Sequence, residues 1–175
     1  GFMDSHIHSV GTKLTELFQI SLFGLTTLDE YKTAISDFIA KNPDMEIATG
    51  GTFDLNVFKD AEGRTVFDIS VLDNISKTQA IVLKDVSNHA LWVNSKALEI
   101  AGIDKNTKEE NGCIIDKDAN GEPTGYLVDC WDFAAKLTVE YTDEQIEESS
   151  LAFHEQANIY GITGVQAMIN DDFGV

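Results

Sequence analysis

The sequence predicts an α/β fold, because strand-like and helix-like segments alternate along it. Residues 2–7 and 162–168 are short apolar-rich runs that suit strands. Between them, Thr27 and Thr142 each stand three residues before a Glu or Gln, which is the capping-box pattern that begins a helix. At 175 residues the chain can bury a substantial core without disulfides or metal ions.

The first half of the chain contains one well-marked helix. Apolar side chains repeat at helical spacing until Pro43, which predicts a helix over about 28–41. The stretch 14–25 is rich in apolar residues, and only its first part has helical spacing. Residues 46–49 suit a strand that enters a tight Gly-Gly turn.

The second half of the chain alternates between the two-residue period of strands and the 3.6-residue period of helices. Residues 67–74 predict a short helix, and the β-branched run 80–85 predicts a strand. Residues 92–101 have the pattern of a helix that a glycine closes. Residues 112–129 predict a hairpin with an Asn-Gly turn, and a long helix follows from 142 to about 160.

The N-terminal strand carries a candidate metal site. His6 and His8 are separated by one residue, so in an extended strand both imidazoles project from the same face. Asp4 lies on that face too, where a carboxylate can orient a metal-bound histidine. Because a divalent site needs three or four ligands, the pair alone supplies half of one.

Net charge argues against two classes of partner. The chain has 30 acidic and 12 basic residues, a formal charge of −18. Such a surface repels phosphate backbones and anionic lipids, so we expect neither nucleic-acid nor membrane binding. With no long apolar run and no signal-peptide pattern, the expected location is the cytoplasm.

Cysteine usage and two partial motifs add little chemistry. Cys113 and Cys130 lack the spacing of a disulfide framework or zinc site and are predicted to be free thiols. The run that begins at Asp116 opens like an EF-hand loop, but Leu127 stands where the bidentate Glu belongs. His154 has no second histidine four residues on, which excludes the metalloprotease helix pattern.

Four blocks, taken together, resemble the metal-dependent amidohydrolases of the branch called amidohydrolase-3 or YtcJ-like, which includes AepA-like exoenzyme regulatory proteins. Their order along the chain matches the family, and they span nearly its whole length. The blocks are the opening strand 1–8, the His-x-x-Trp-Val-Asn-Ser block within 87–98, the hairpin 112–127 and the strand 161–165.

The resemblance implies a (β/α)8 barrel with catalytic groups at the carboxyl ends of its strands. Residues 1–10 would be the first barrel strand and 11–140 an α/β domain inserted over the barrel mouth. Residues 141–175 would be the first barrel helix and second strand. Because such a barrel takes roughly 250 residues, the chain is expected to be a fragment.

The resemblance also implies an activity. Family members hydrolyse a C–N bond, amide-like or N-acyl, in a small-molecule substrate by metal-activated water, and the expected metal is a divalent ion such as zinc. His6 and His8 match the first two metal ligands, while the later His and Asp ligands and the general base have no counterpart here. The fragment alone is therefore expected to be inactive and to hold metal weakly or not at all.

Three more residues are candidates for the site through the same resemblance. Asp129 matches a position where relatives often carry Glu, and it is a candidate metal or substrate ligand, with a solvated strand end as the alternative. His89 and Trp92 are candidates for lining the substrate cavity. For His89 the alternative is local hydrogen bonding, and for Trp92, as for Trp131, it is a core position.

Two alternatives stay open at this point. The chain could instead be a regulatory or interaction module that binds no catalytic metal. Two barrel strands without neighbours would also expose hydrogen-bonding edges, which predicts a homodimer or a swapped assembly of the fragment.

Overall fold

The computed structural model of the chain describes residues 1–7 and 10–167. It confirms the α/β class, and none of its helices in these ranges is long and apolar enough to cross a membrane. In chain order the elements are β1 (Phe2–Ile7), α1 (Val10–Phe18), β2 (Ile20–Ser21), α2 (Leu28–Lys41), β3 (Ile47–Phe53), a 3-10 turn (Leu55–Phe58), α3 (Ser70–Asp73), β4 (Ala80–Asp85), β5 (Ala90–Val93), α4 (Ser95–Ala101), β6 (Ile114–Lys117), β7 (Pro123–Val128), α5 (Trp131–Ala134), a 3-10 turn (Ala135–Leu137), α6 (Asp143–Ile159) and β8 (Ile162–Ala167).

The chain divides into two compact units. Unit 1 consists of residues 1–19 and 140–175, and unit 2 consists of residues 20–139. Unit 1 therefore contains both ends of the chain together with helix α1, and unit 2 is one continuous segment. The assignment of these segments to a barrel and its insertion stays a prediction.

Unit 1 is a β-α-β arrangement. Strands β1 and β8 pair in parallel, with Phe2 opposite Ile162 and Ile7 opposite Ala167. Helix α6 precedes β8 and begins at the predicted capping box, where the Thr142 hydroxyl accepts the Gln145 amide and the Gln145 side chain accepts the Thr142 amide. Helix α1 packs against α6. A parallel pair needs such a crossover because its strands run in the same direction.

Unit 2 is built on a six-stranded mixed sheet of order β2-β3-β4-β5-β7-β6. The first three strands are parallel and the last three are joined by antiparallel pairs. The central strands β4 and β5 bury consecutive residues, because both faces of the sheet are covered.

Each face of this sheet has its own core. Ile81, Leu83 and Trp92 belong to a cluster that also contains residues of helix α2, whereas their neighbours Val82 and Val93 belong to a second cluster that contains residues of α4. Since side chains alternate along a strand, the two clusters lie on opposite faces. The sheet of unit 2 is therefore a middle layer between helices.

The sequence misplaced two features. The tight turn predicted at Gly50-Gly51 is wrong, because both glycines lie inside strand β3 and pair with β4. Residues 92 and 93, predicted to open a helix, belong to strand β5, and helix α4 begins at Ser95 after the cap residue Asn94. An apolar run that is buried on both faces has no alternation, so periodicity alone cannot separate it from the start of a helix. The closing Gly102 was predicted correctly and adopts the left-handed conformation with φ of 77°.

The prediction of free thiols was wrong. Cys113 and Cys130 form a disulfide, with their Cα atoms 4.3 Å apart. Cys113 immediately precedes β6, Cys130 follows Asp129 after β7, and these strands pair with Ile114 opposite Val128. Two residues 17 positions apart in the sequence thus become neighbours only once the predicted hairpin has formed.

The hairpin turn accounts for the partial calcium motif. The Asp118 carboxylate accepts the backbone amides of Asn120 and Glu122 at 2.8 and 2.9 Å. The Asp116 carboxylate accepts the Thr124 hydroxyl at 2.6 Å. Both acidic side chains therefore hold the turn, and the hairpin interpretation is confirmed.

Unit 2 depends on Asn94, which is completely buried at the junction of β5 and α4. Its Oδ1 accepts the amides of Ile81 and Ala97, each at 3.0 Å, and its Nδ2 donates to the carbonyls of Ser76 and Gln79, each at 2.9 Å. One side chain thereby caps a helix and fixes a loop against a strand.

We predict that Asn94→Ala lowers the free energy of unfolding by about 3 kcal/mol, because it removes a helix cap and leaves buried backbone groups unpaired. Urea denaturation followed by far-UV circular dichroism measures the change. The exposed Asn106 offers a matched control, and Asn106→Ala should change stability by less than about 0.5 kcal/mol. Equal effects of the two substitutions would contradict the role assigned to Asn94.

Candidate functional site

Histidine 6 lies near the carboxyl end of β1, with an exposed position on a strand that pairs with β8. Asp4 accepts the backbone amide of His6 through Oδ1 at 3.0 Å. This contact holds the backbone at His6, and an additional orienting role of Asp4 toward an imidazole stays a prediction. His8 lies outside the described residues.

The imidazole of His6 and the carboxylate of Asp4 are side chains of the chemical types that bind divalent ions. Imidazole nitrogen and carboxylate oxygen are ligands that zinc accepts. No group of three or more His, Cys, Asp or Glu side chains within 1–7 and 10–167 is arranged to hold one ion. The metal-ligand roles of His6 and His8 therefore stay predictions.

The position of His6 relative to the sheet is informative. In parallel strands all carboxyl ends meet at one edge, and in (β/α)8 enzymes that edge carries the catalytic groups. Ile7, the last residue of β1, pairs with Ala167, the last residue of β8. His6 thus stands at the edge of unit 1 where the chemistry of a parallel α/β enzyme is found.

A second constellation lies in unit 2, around His89 and Asp129. The imidazole Nδ1 of His89 is 2.7 Å from Asp129 Oδ1, and the backbone amide of Asp129 donates to the His89 carbonyl at 2.8 Å. The two side chains are 65% and 41% exposed. A histidine paired with a carboxylate at an open surface can bind a polar ligand.

The backbone at Asp129 has an unusual conformation. Its φ is +52°, in the left-handed region that L residues other than Gly, Asn and Asp seldom adopt. Asp129 directly follows strand β7, where the chain turns toward α5. Asp is one of the few residues that adopt this conformation, and here it accompanies the contact between the Asp129 carboxylate and His89.

Trp131 and Trp92 have opposite surroundings. Trp131 is 54% exposed, and its ring meets the edge of the His89 ring at a centroid distance of 5.9 Å. Trp92 is completely buried, with its ring packed against Phe53 and Phe58. The substrate-lining prediction for Trp92 is therefore corrected to the core alternative, because the side chain presents no surface to a ligand.

A cavity of about 480 Å³ opens beside Trp131. Its aromatic wall is formed by Trp131 and Phe133, and its polar lining includes Asp129. The disulfide contributes both of its cysteines to the wall. The core position predicted for Trp131 is wrong, and the sequence analysis did not predict this cavity. The position of Trp131, two residues after Asp129 at the end of a strand, was a signal that could have indicated exposure.

Shifted pKa values do not single out catalytic groups. Backbone amides donated within turns and caps lower the pKa of Glu30, Asp104 and Asp118, and the Arg64 side chain lowers that of Asp60. Burial, followed by the nearby Asp85 and Asp116 charges, raises the pKa of the Tyr126 phenol. These shifts have structural causes.

The family of the chain follows from comparison of its whole length. A family model described as "Amidohydrolase family" matches residues 1–174. The chain belongs to the amidohydrolase family. The resemblance inferred from the four sequence blocks is therefore confirmed.

Individual relatives agree with this assignment. YtcJ of Bacillus subtilis (strain 168), named as an amidohydrolase, is 34% identical over 165 residues, which cover 94% of this chain and 30% of that protein. The N-substituted formamide deformylase of Arthrobacter pascens is 30% identical over 174 residues, covering 94% of this chain and 31% of the relative. The chain thus spans about a third of the length of these amidohydrolase relatives.

Solved structures show the same fold. A crystal structure of an uncharacterized metal-dependent hydrolase from Pyrococcus furiosus matches with a TM-score of 0.58 at 18% identity, over 95% of this chain and 31% of that one. A second such hydrolase, from Pyrococcus horikoshii OT3, matches with a TM-score of 0.59 at 18% identity, over 95% of this chain and 30% of the other. The chain therefore has the fold of one part of an amidohydrolase.

We predict that the left-handed backbone at position 129 is more costly for Ala than for Gly. Asp129→Ala should be less stable than Asp129→Gly by about 1 kcal/mol, because only glycine adopts this conformation without a Cβ penalty. Urea denaturation of the two variants measures the difference. Asp132 in α5 is the matched control, where the order should reverse because a helical position favours Ala over Gly. The same order at both positions would contradict the assigned strain.

Proposed function

We propose that this chain is part of a metal-dependent hydrolase that cleaves a C–N bond of an amide or N-acyl substrate. The observation that carries the proposal is the parallel pairing of β1 with β8, which puts His6 at the carboxyl edge of a β-α-β unit in a member of the amidohydrolase family. The relative named as an N-substituted formamide deformylase supports a small N-acyl substrate.

In this proposal His6 and His8 hold a divalent ion, with zinc as the expected metal. When bound, the ion lowers the pKa of a coordinated water and polarises the scissile carbonyl. Asp4 keeps the backbone of His6 in place through its amide contact, which limits the positions open to the imidazole. The remaining ligands and the general base belong to the proposed larger enzyme.

His89 has a proposed role of its own, in substrate binding. It is held by Asp129, and both side chains remain open to solvent. A carboxylate-bound imidazole presents its other ring nitrogen to a ligand with a defined direction, which suits recognition of a polar acyl group.

The hydrolase proposal is tested on a protein of the length of the relatives that contains this chain. We expect it to hydrolyse members of a panel of N-formyl and N-acyl amines, with activity lost in chelator and restored by Zn²⁺. His6→Ala should lower kcat/KM by more than about 100-fold, since even residues that only support metal ligands cost up to that factor. His154→Ala, in the exposed face of α6, should leave kcat/KM unchanged. Full activity of the His6 variant would contradict the proposal.

A regulatory or interaction module is the second candidate. It is favoured by one relative whose name describes regulation, the exoenzymes regulatory protein AepA of Pectobacterium carotovorum subsp. carotovorum. That protein is 27% identical over 132 residues, which cover 73% of this chain and 28% of the relative. Metal-independent behaviour of the longer protein, with no turnover of any acyl amine, would support it.

The 175-residue chain alone should bind metal weakly. We predict that Zn²⁺ binds with low affinity and is removed by dialysis, because two imidazoles leave the coordination shell half empty. Isothermal titration and elemental analysis measure this, and His6→Ala should abolish the binding whereas His154→Ala should not. Near-stoichiometric zinc that survives dialysis would contradict the prediction.

Self-association of this chain is proposed from the exposed strands of unit 1. Phe2 and Met3 on β1 are 74% and 82% exposed, and Val165 on β8 is 41% exposed. A two-stranded sheet also has unpaired backbone groups along its outer edges, which can pair with those of a second copy.

We predict a homodimer or swapped assembly of the chain, measured by light scattering over a range of concentrations. Met3→Lys should shift the equilibrium toward monomer, since a charge on an exposed strand opposes pairing. Phe23→Lys is the matched control, because Phe23 is as exposed as Met3 but lies in unit 2. A monomer at every concentration would contradict the proposed assembly.

A further inference from the structure

The disulfide between Cys113 and Cys130 lies at the boundary between the sheet of unit 2 and a cavity. It joins the two open ends of the β6–β7 hairpin, and the two residues are only 6% and 4% exposed. Both cysteines nevertheless line the cavity beside Trp131, so the bond lies at the wall of an opening to solvent. A small molecule that enters the cavity therefore comes against both cysteines while the sheet stays folded.

We propose that the Cys113–Cys130 disulfide is a reversible redox modification site, reduced through this cavity by a low-molecular-weight thiol that carries a positive charge. The inference is independent of the proposed hydrolase activity. Its two parts, access through the cavity and selection by charge, rest on different observations.

The exchange balances with two equivalents of thiol. The thiolate of the first molecule attacks one Sγ, the S–S bond breaks, and its electron pair leaves on the other Sγ, which takes a proton from water. A second thiolate attacks the sulfur of the bound thiol in the mixed disulfide and releases the remaining cysteine. The protein disulfide gains two electrons and two protons, and the two thiols become one small disulfide.

Access is supported by the size and composition of the cavity. Its volume of about 480 Å³ is within the range of pockets that hold small molecules. The lining is mainly apolar apart from a few polar groups, with Trp131 and Phe133 as its aromatic side chains. A two-carbon amino thiol is far smaller than this space.

Charge selection follows from the ionisable groups of the lining. They are the carboxylates of Glu110, Asp129 and Asp132 against the single ammonium of Lys108. Asp132 accepts the Asn111 amide at 3.1 Å, and Asp129 is paired with His89 at 2.7 Å. An attacking sulfur is itself anionic, so this lining repels an anionic thiol and accepts one whose ammonium offsets the thiolate charge.

Reduction would act on the residues next to the disulfide. Cys130 lies between Asp129, with its left-handed backbone, and the exposed Trp131. The strands of the hairpin remain paired with each other and with β5, and Ile115 and Leu127 remain in the core. We therefore expect reduction to loosen residues 129–134 and the contact of Asp129 with His89, while the sheet stays folded.

The test measures the rate at which the disulfide is reduced in native buffer at low salt. Released thiols are alkylated with iodoacetamide, and the mass of the intact chain is measured by mass spectrometry. The rates with the cationic thiol cysteamine and the anionic thiol mercaptoethanesulfonate are compared at equal thiolate concentration. The same two thiols are also used to reduce hydroxyethyl disulfide, an uncharged small disulfide that serves as the reference substrate. We expect both cysteines to be alkylated at a rate proportional to thiol concentration. The ratio of the cysteamine rate to the mercaptoethanesulfonate rate should be about tenfold higher for the protein disulfide than for hydroxyethyl disulfide. This difference should vanish in about 1 M salt.

Two variants separate the cavity from the rest of the acidic surface. Glu110→Gln with Asp132→Asn should lower the cysteamine preference several-fold, whereas Asp37→Asn, on an exposed position of α2 outside the cavity, should not. Hydrogen exchange of the reduced chain should increase within 129–134 and remain unchanged in β4 and β5.

Two results would overturn the proposal. A rate that is independent of thiol concentration and equal to the rate of global unfolding would show that the disulfide is reached only by unfolding. A cysteamine preference equal to that of the reference disulfide, or unaffected by the cavity variants, would show that the lining does not select the thiol.

Discussion

Buried polar groups need hydrogen-bond partners, and in unit 2 Asn94 supplies them at the buried junction of β5 and α4. Its side-chain amide satisfies two donors and two acceptors of the surrounding backbone. Because β4 and β5 are buried on both faces, no water can replace these bonds. One polar side chain thus connects a loop, a strand and a helix of the layered unit 2.

The candidate chemistry of the chain is distributed over its two units. Unit 1 contributes strand β1 with the candidate ligand His6, and the long helix α6 leads the chain to β8, which pairs in parallel with β1. Unit 2 contributes an exposed His–Asp pair and a cavity with an aromatic wall.

The surface at Asp129 joins three chemical properties in a few consecutive residues. Asp129 has a left-handed backbone and contacts His89, the next residue closes a disulfide, and the one after that exposes an indole ring. All three are set at the end of β7, where the sheet stops and the chain must turn. These features lie at the margin of the second core cluster rather than inside it.

The sequence by itself determined the elements whose signals are local. The capping boxes at Thr27 and Thr142, the glycine that ends α4, the turn at Asn120 and the family blocks were all readable along the chain, because each depends on residues within a few positions of one another. The tertiary structure decided the rest: that residues 90–93 are a doubly buried strand, that Cys113 meets Cys130, and that Trp92 is buried while Trp131 is exposed. Those outcomes depend on which distant segments cover a residue, and no local periodicity encodes a neighbour that the chain brings from elsewhere.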